Sequence, residues 1–81
     1  MKLCMRRTVH GRIRYYTLEL IPNLFGEWVL IRTYGSIKKL KPTRVIRRIY
    51  SDAHEAIASM DTIKDQKQKR GYEIQYPYSM T

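Results

Sequence analysis

The spacing of the apolar residues changes from a strand period to a helical period near residue 51, and this change limits the folds that the chain can adopt. Apolar and polar residues alternate with a period of two in residues 14–21, as in a strand with one buried face. Residues 28–34 contain the β-branched Val29, Ile31 and Thr33, which favour a second strand. Residues 44–50 alternate less regularly but contain β-branched side chains, which favour strands. From residue 52 to residue 70 the apolar residues recur at helical spacing. The pattern therefore predicts three strands followed by one amphipathic helix.

Local signals indicate where these elements begin and end. Residues 22–26 carry turn signals between the first two strands, which predicts an antiparallel hairpin. Ser51 or Asp52 can cap the start of the helix, and Gly71 is placed to end it. Residues 72–76 alternate again and predict a short last strand. The expected fold is α+β, a small, mostly antiparallel sheet of about four strands packed by one helix.

A chain of 81 residues is long enough for one domain. Residues 1–13 are polar and basic and contain a glycine break, so we expect a flexible basic arm there. The domain itself is expected over residues 14–76, followed by a frayed tail at residues 77–81. A single cysteine excludes an internal disulfide.

The positive charge of the chain is concentrated in one segment. The chain has 16 Lys and Arg against 7 Asp and Glu, a net charge of +9. Residues 32–48 contain seven of the basic side chains and no acidic one. Like charges held this close repel one another, and a polyanionic partner relieves that repulsion. The segment therefore favours nucleic acid as the partner.

Several other classes of function lack the residues that they require. The sequence has no Gly-rich phosphate loop, no HExxH and no nucleophile beside a base, so we predict a protein that is not an enzyme. Its cysteine and histidines lack the spacing of zinc ligands, and we predict no metal and no cofactor. No apolar run approaches the roughly 20 residues that cross a bilayer, and the start lacks the apolar core of a secretory signal. We predict a cytoplasmic protein without a membrane partner.

Five short segments together resemble a known family. Their order and spacing are similar to those of the WGR domain, and in particular to its stand-alone bacterial members. The resemblance extends over residues 14–72. The segments are YYTLEL at 15–20, NLFGEWVLIR at 23–32, YGSI at 34–37, RRIY at 47–50 and KRGY at 69–72.

The resemblance implies a mostly antiparallel sheet with one helix and a role in binding DNA. In the DNA-repair poly(ADP-ribose) polymerases this module binds DNA ends and helps to relay damage detection to a catalytic domain. The family signature, Trp-Gly-Arg, is the turn after the second strand. Its Trp packs against the terminal nucleotide, and its Arg reaches the DNA.

This chain departs from the signature at both functional positions. Tyr34 stands in place of the Trp and Ser36 in place of the Arg, while Gly35 is kept. The ring of Tyr34 can still stack on a sugar or base. Ser36 cannot donate a charged hydrogen bond to phosphate, so we expect Lys38 and Lys39 to supply the charge instead.

The predicted nucleic-acid-binding residues surround this turn. Within the third strand we prefer Arg44 and Arg48, which share a face, over Arg47. The full set is Arg32, Tyr34, Ser36, Lys38, Lys39, Lys41, Arg44 and Arg48.

Each of these assignments has an alternative. Tyr34 could pack within the sheet, and the lysines of residues 38–41 could form a solvated loop. Arg12 and Arg14 could extend the basic face or keep the arm soluble. The basic residues at 67–70 are explained by the helix dipole alone.

The preferred hypothesis is a non-enzymatic nucleic-acid-binding module that acts through the basic face around the Tyr34-Gly35 turn. DNA is the expected ligand, at ends, nicks or other non-duplex features. The alternative is a protein-interaction adaptor that docks on an acidic partner. RNA is a third possibility, because Tyr with Lys and Arg also suits single strands.

Overall fold

The strands form one antiparallel sheet, and the helix packs on one of its faces. The structure is a computed structural model, and it describes residues 1–75. The sheet order is β4-β3-β2-β1-β5. The expected α+β fold is confirmed, with five strands where about four were expected. The elements are β1 (Lys2–Val9), β2 (Arg12–Pro22), β3 (Trp28–Ser36), β4 (Arg44–Tyr50), α1 (Ala53–Lys69) and β5 (Glu73–Ile74).

The N-terminal segment differs from the flexible arm that the sequence predicts for residues 1–13. Residues 2–9 form β1, which pairs with β2 on one side and with β5 on the other. Leu3 and Met5 point towards the helix, and Met5 is fully buried. The basic residues before and after them hide this period of two. The prediction of a frayed tail at residues 77–81, with the end of the last strand at Tyr76, lies outside the described residues.

A two-residue turn joins β1 to β2. Val9 pairs with Arg12, which leaves His10 and Gly11 as the loop. Both have positive φ, 51° and 76°, as a type I′ hairpin turn requires. The glycine adopts this conformation without strain, and the turn fixes the register of β1 against β2.

The core lies between α1 and the sheet. Asp52 caps the helix by accepting a hydrogen bond from the amide of His54 at 3.0 Å, which confirms one of the two predicted caps. The buried side chains come from β1, β2, β3 and α1. They are Met5, Tyr16, Leu18, Leu20, Leu30, Ala56, Met60 and Ile63.

The other face of the sheet, which we call the open face, has no helix on it. Its apolar side chains alternate with those of the core along each strand. They include Ile13, Ile21, Val29, Ile31, Val45 and Ile49. Within the described part of the chain, the one helix lacks the length and apolar character that crossing a membrane requires.

Candidate nucleic-acid interface

A basic cleft lies on the helix face of the sheet, beside the C-terminal end of α1. Its volume is about 460 Å³. Six cationic side chains and three tyrosines line it, and no acidic residue does. The lining residues are Arg7, Arg14, Tyr16, Arg32, Tyr34, Arg44, Ile46, Lys67, Arg70 and Tyr72.

The register of the strands assembles this cleft. Tyr16 on β2, Tyr34 on β3 and Arg44 on β4 lie opposite one another in one row across the sheet. In the next row Arg32 lies between Leu18 and Ile46. Because these positions share a face, their side chains point towards the cleft and not towards the open face.

The turn that ends α1 places the remaining residues. The amide of Tyr72 donates to the carbonyl of Lys67 at 3.0 Å, and Gly71 adopts a φ of 96°. This arrangement is typical of a glycine-terminated helix. It brings Arg70 and Tyr72 beside the sheet, where both line the cleft.

The three tyrosines form the floor of the cleft. The rings of Tyr16 and Tyr34 stack with their centroids 5.4 Å apart and their planes 2° from parallel. Tyr72 meets Tyr16 edge to face at 5.9 Å. Tyr16 is buried, whereas Tyr34 and Tyr72 are half-buried. Tyr34 therefore packs within the sheet and also presents part of its surface to the cleft.

These rings also position the cations. The Nε of Arg32 donates a hydrogen bond to the hydroxyl of Tyr16 at 2.8 Å. The Nζ of Lys67 lies 4.7 Å from the centroid of the same ring. The guanidinium of Arg7 lies 5.4 Å from the ring centroid of Tyr72. Such cation–π contacts hold the charged groups in place without neutralising them.

Arg7 is held by the end of the helix. Its guanidinium donates to the backbone carbonyl of Arg70, one of the carbonyls left free where α1 ends. The Nε of Arg7 is buried and has no hydrogen-bond partner among the described residues. A buried donor without an acceptor is costly, so an anion entering the cleft would gain from meeting it.

No carboxylate of the described residues lies within 4.0 Å of a cleft cation. The ion pairs recorded in residues 1–75 join Lys64 to Asp61 and Asp65, on the surface of α1. Burial lowers the pKa of Lys67 below its ordinary value of 10.5, and the neighbouring charges of Arg70, Arg32 and Arg7 lower it further. The cleft is thus a site of mutually repelling positive charge that an anion would relieve.

The predicted site residues divide into three groups. Arg32, Tyr34 and Arg44 line the cleft. Ser36 lies on the same face, where it pairs across the sheet with Arg14. Arg48 also lies on this face, but its guanidinium sits 5.6 Å from the ring centroid of Tyr50, away from the cleft.

The loop lysines Lys38, Lys39 and Lys41 are exposed and do not line the cleft. Their loop connects Ser36 to Arg44, so it leaves the sheet from the row beside the cleft. Its backbone crosses close to Gly35, where an added Cβ would lie 2.9 Å from the amide nitrogen of Thr43. This close contact leaves no room for a side chain at position 35, which explains why this chain keeps the glycine of the family signature.

Four cations of the cleft were not among the predicted site residues. Arg7 belongs to the segment that was expected to be an arm. Arg14 was considered only as an extension of the basic face, and Lys67 and Arg70 were explained by the helix dipole. The signal that could have found them is the alternation of Leu3, Met5 and Arg7, together with the basic end of the helix. The structure shows no group of three potential metal ligands in residues 1–75.

The comparisons with known proteins agree with the resemblance noted in the sequence. The model of the WGR domain family matches residues 1–77. Neither a search of curated proteins nor a search of solved structures returned a match. Because the family match covers nearly the whole chain, this protein belongs to the WGR domain family.

Proposed function

We propose that this chain is a non-enzymatic nucleic-acid-binding module and that the basic cleft is its binding site. The convergence of six cations from separate parts of the fold, without a carboxylate among the cleft's lining residues, carries the proposal. Phosphate groups supply the charge that such a cleft lacks. The WGR domain is a family of nucleic-acid-binding modules, which supports the same conclusion.

The lost signature charge has a substitute in the neighbouring strand. Arg14 lies directly opposite Ser36, on the same face, and lines the cleft. Its guanidinium can make the forked contact to phosphate that a serine cannot. The stack on the buried ring of Tyr16 holds the half-buried ring of Tyr34 in place where the signature has its Trp.

The tyrosines favour nucleotides that are free of base stacking on one side. A ring can stack on a base or sugar only where the neighbouring nucleotide does not already cover it. Such nucleotides occur at DNA ends, at nicks and in single strands, but not within a continuous duplex. We therefore propose DNA ends, nicks and other non-duplex features as the ligands.

A fluorescence-anisotropy titration tests this proposal. We expect binding to blunt duplex, nicked duplex and single-stranded DNA to weaken steeply with salt. If about five phosphates are contacted, log K should fall with log salt at a slope near −4 to −5. Absence of binding to every DNA at low salt would refute the function. RNA of matched length and an acidic polypeptide are the competitors, and preferential displacement by either would identify the other ligand class.

The lowered pKa of Lys67 predicts a pH dependence of binding. The group loses its proton at a lower pH than an ordinary lysine, so its contribution to phosphate binding is full below the lowered pKa and is lost as pH rises through it. Affinity should therefore begin to fall before pH 10.5 is reached. Lys67→Arg keeps its charge throughout this range and should make that fall smaller and shift it to higher pH. Identical pH profiles for the two proteins would exclude Lys67 from the contact.

A further inference from the structure

The open face of the sheet is apolar and remains accessible. Ile49 is 59% exposed, and Ile21, Val45 and Ile13 are each close to 40% exposed. These side chains share one face with the half-buried Val29 and Ile31. Exposed apolar side chains gathered on one face of a small domain are typical of an interaction surface.

The charges on this face have a particular arrangement. Ile31, on β3, lies between Glu19 on β2 and Arg47 on β4 in one row across the sheet. The two charges stand on strands that are not adjacent, about 9.6 Å apart. Lys2 lies opposite Glu19 on β1, yet neither Glu19 nor Arg47 is in an ion pair within the described residues.

We propose that two copies of this chain pack open face to open face as a symmetric dimer. The two copies are related by a two-fold axis that lies between the sheets, parallel to β3 and over Ile31. This axis places β2 of each copy over β4 of the other copy. It places Glu19 of each copy over Arg47 of the partner subunit, and Ile31 over its own counterpart. The same operation brings Ile21 to Ile49 in the adjacent row, which is apolar throughout. The face is therefore self-complementary, as an isologous interface must be.

The distribution of charge is compatible with this packing. The open face carries Lys2, Arg6 and Arg47 against Glu19 and Glu73, a net charge of +1 for these five residues. The six cations of the cleft lie on the opposite face. The dimer would thus place its two basic clefts on its outer sides. Formation of the dimer does not depend on the proposed binding of nucleic acid.

The area of the open face determines how tightly we expect the two copies to bind. The three strands that face one another, β2 to β4, at 4.8 Å spacing and about seven residues at 3.4 Å rise give about 340 Å² per copy. About 700 Å² in total is below the standard size of specific, stable interfaces and in the range of weak, transient ones. We therefore expect a dimer that dissociates in the micromolar range and packs as an aligned sandwich of two sheets.

Sedimentation velocity over a wide range of protein concentration tests the proposal. The average mass should rise from that of a monomer to that of a dimer. Glu19→Arg and Arg47→Glu each place like charges opposite one another and should weaken the dimer at least tenfold. The double variant Glu19→Arg/Arg47→Glu reverses both members of each pair and should restore it. Lys69→Glu, which makes the same charge change as Arg47→Glu at the exposed end of α1, should leave the dimer unchanged.

The dimer is refuted by a monomer at all concentrations, by single variants that associate like the wild type, or by a double variant that stays dissociated. Circular dichroism of each variant shows that the loss of mass is not a loss of folding. The DNA affinity of the monomeric variants separates the two proposals. If they still bind DNA, the function stands whatever the oligomeric state, and if the wild type dimerises without binding DNA, the dimer stands alone.

Discussion

Replacing Arg14 and Arg44 together by glutamate should weaken DNA binding by about a hundredfold to ten-thousandfold. Both side chains line the cleft, and both are exposed. A hydrogen bond to a charged group contributes about 1.5–3 kcal/mol, and the substitution removes two such contacts and adds repulsion. Because neither residue contributes to the core, the free energy of unfolding should change little. Anisotropy at low salt measures the affinity, and urea denaturation checks the stability.

Two control variants, each with a pair of substitutions, make the same change in net charge outside the cleft. Lys2→Glu with Arg6→Glu alters the open face, and Lys38→Glu with Lys39→Glu alters the exposed loop beside the cleft. The first pair should reduce affinity only slightly, through the general field of the protein. The loop pair should have an intermediate effect, because the loop leaves the sheet next to the cleft. Equal losses for all three pairs would mean that net charge, and not the cleft, determines binding.

Local spacing was sufficient to predict part of this site. Arg44 and Arg48 are four residues apart on one predicted strand, so a period of two places them on one face without knowledge of the fold, and the structure confirms this grouping. The segment Tyr34-Gly35-Ser36 was expected to be a turn after the second strand, but it lies within β3. The same period therefore places Ser36 on one face with Arg32 and Tyr34.

The rest of the cleft depends on contacts between segments that are far apart in sequence. Arg7 and Arg70 meet only because β1 packs beside the end of α1. Lys67 faces Tyr16 because the helix crosses the sheet at a particular angle, which a period of 3.6 does not encode. A basic helix end is already explained by the helix dipole, so its composition alone does not indicate a binding site.

The N-terminal segment was not predicted as a strand for a different reason. Leu3 and Met5 are the only core side chains of β1, and basic residues follow them. The basic composition of the segment therefore hides the period of two in its apolar residues. The turn at His10 and Gly11 was interpreted as a break, although two residues ending in glycine between alternating segments are typical of a hairpin.

The structure therefore predicts that Met5→Ala lowers the free energy of unfolding by about 2–5 kcal/mol. Met5 is fully buried, pairs with Tyr16 on β2 and Ile74 on β5, and packs in the core. Its truncation leaves a cavity between the sheet and the helix. A domain of this size has only about 4–12 kcal/mol of stability, so the loss is a large part of the total. Urea denaturation followed by circular dichroism measures it.

Met1→Ala is the matched control. Met1 belongs to the same segment but is 67% exposed, so the same truncation should change stability by less than about 0.5 kcal/mol. A flexible arm at residues 1–13 predicts no effect from either substitution, whereas a strand in the sheet predicts a large difference between them. Since Arg7 reaches the cleft only if β1 is paired, Met5→Ala should also weaken DNA binding near its unfolding midpoint. Equal stability of both variants would show that β1 is not part of the sheet and that Arg7 does not line the cleft.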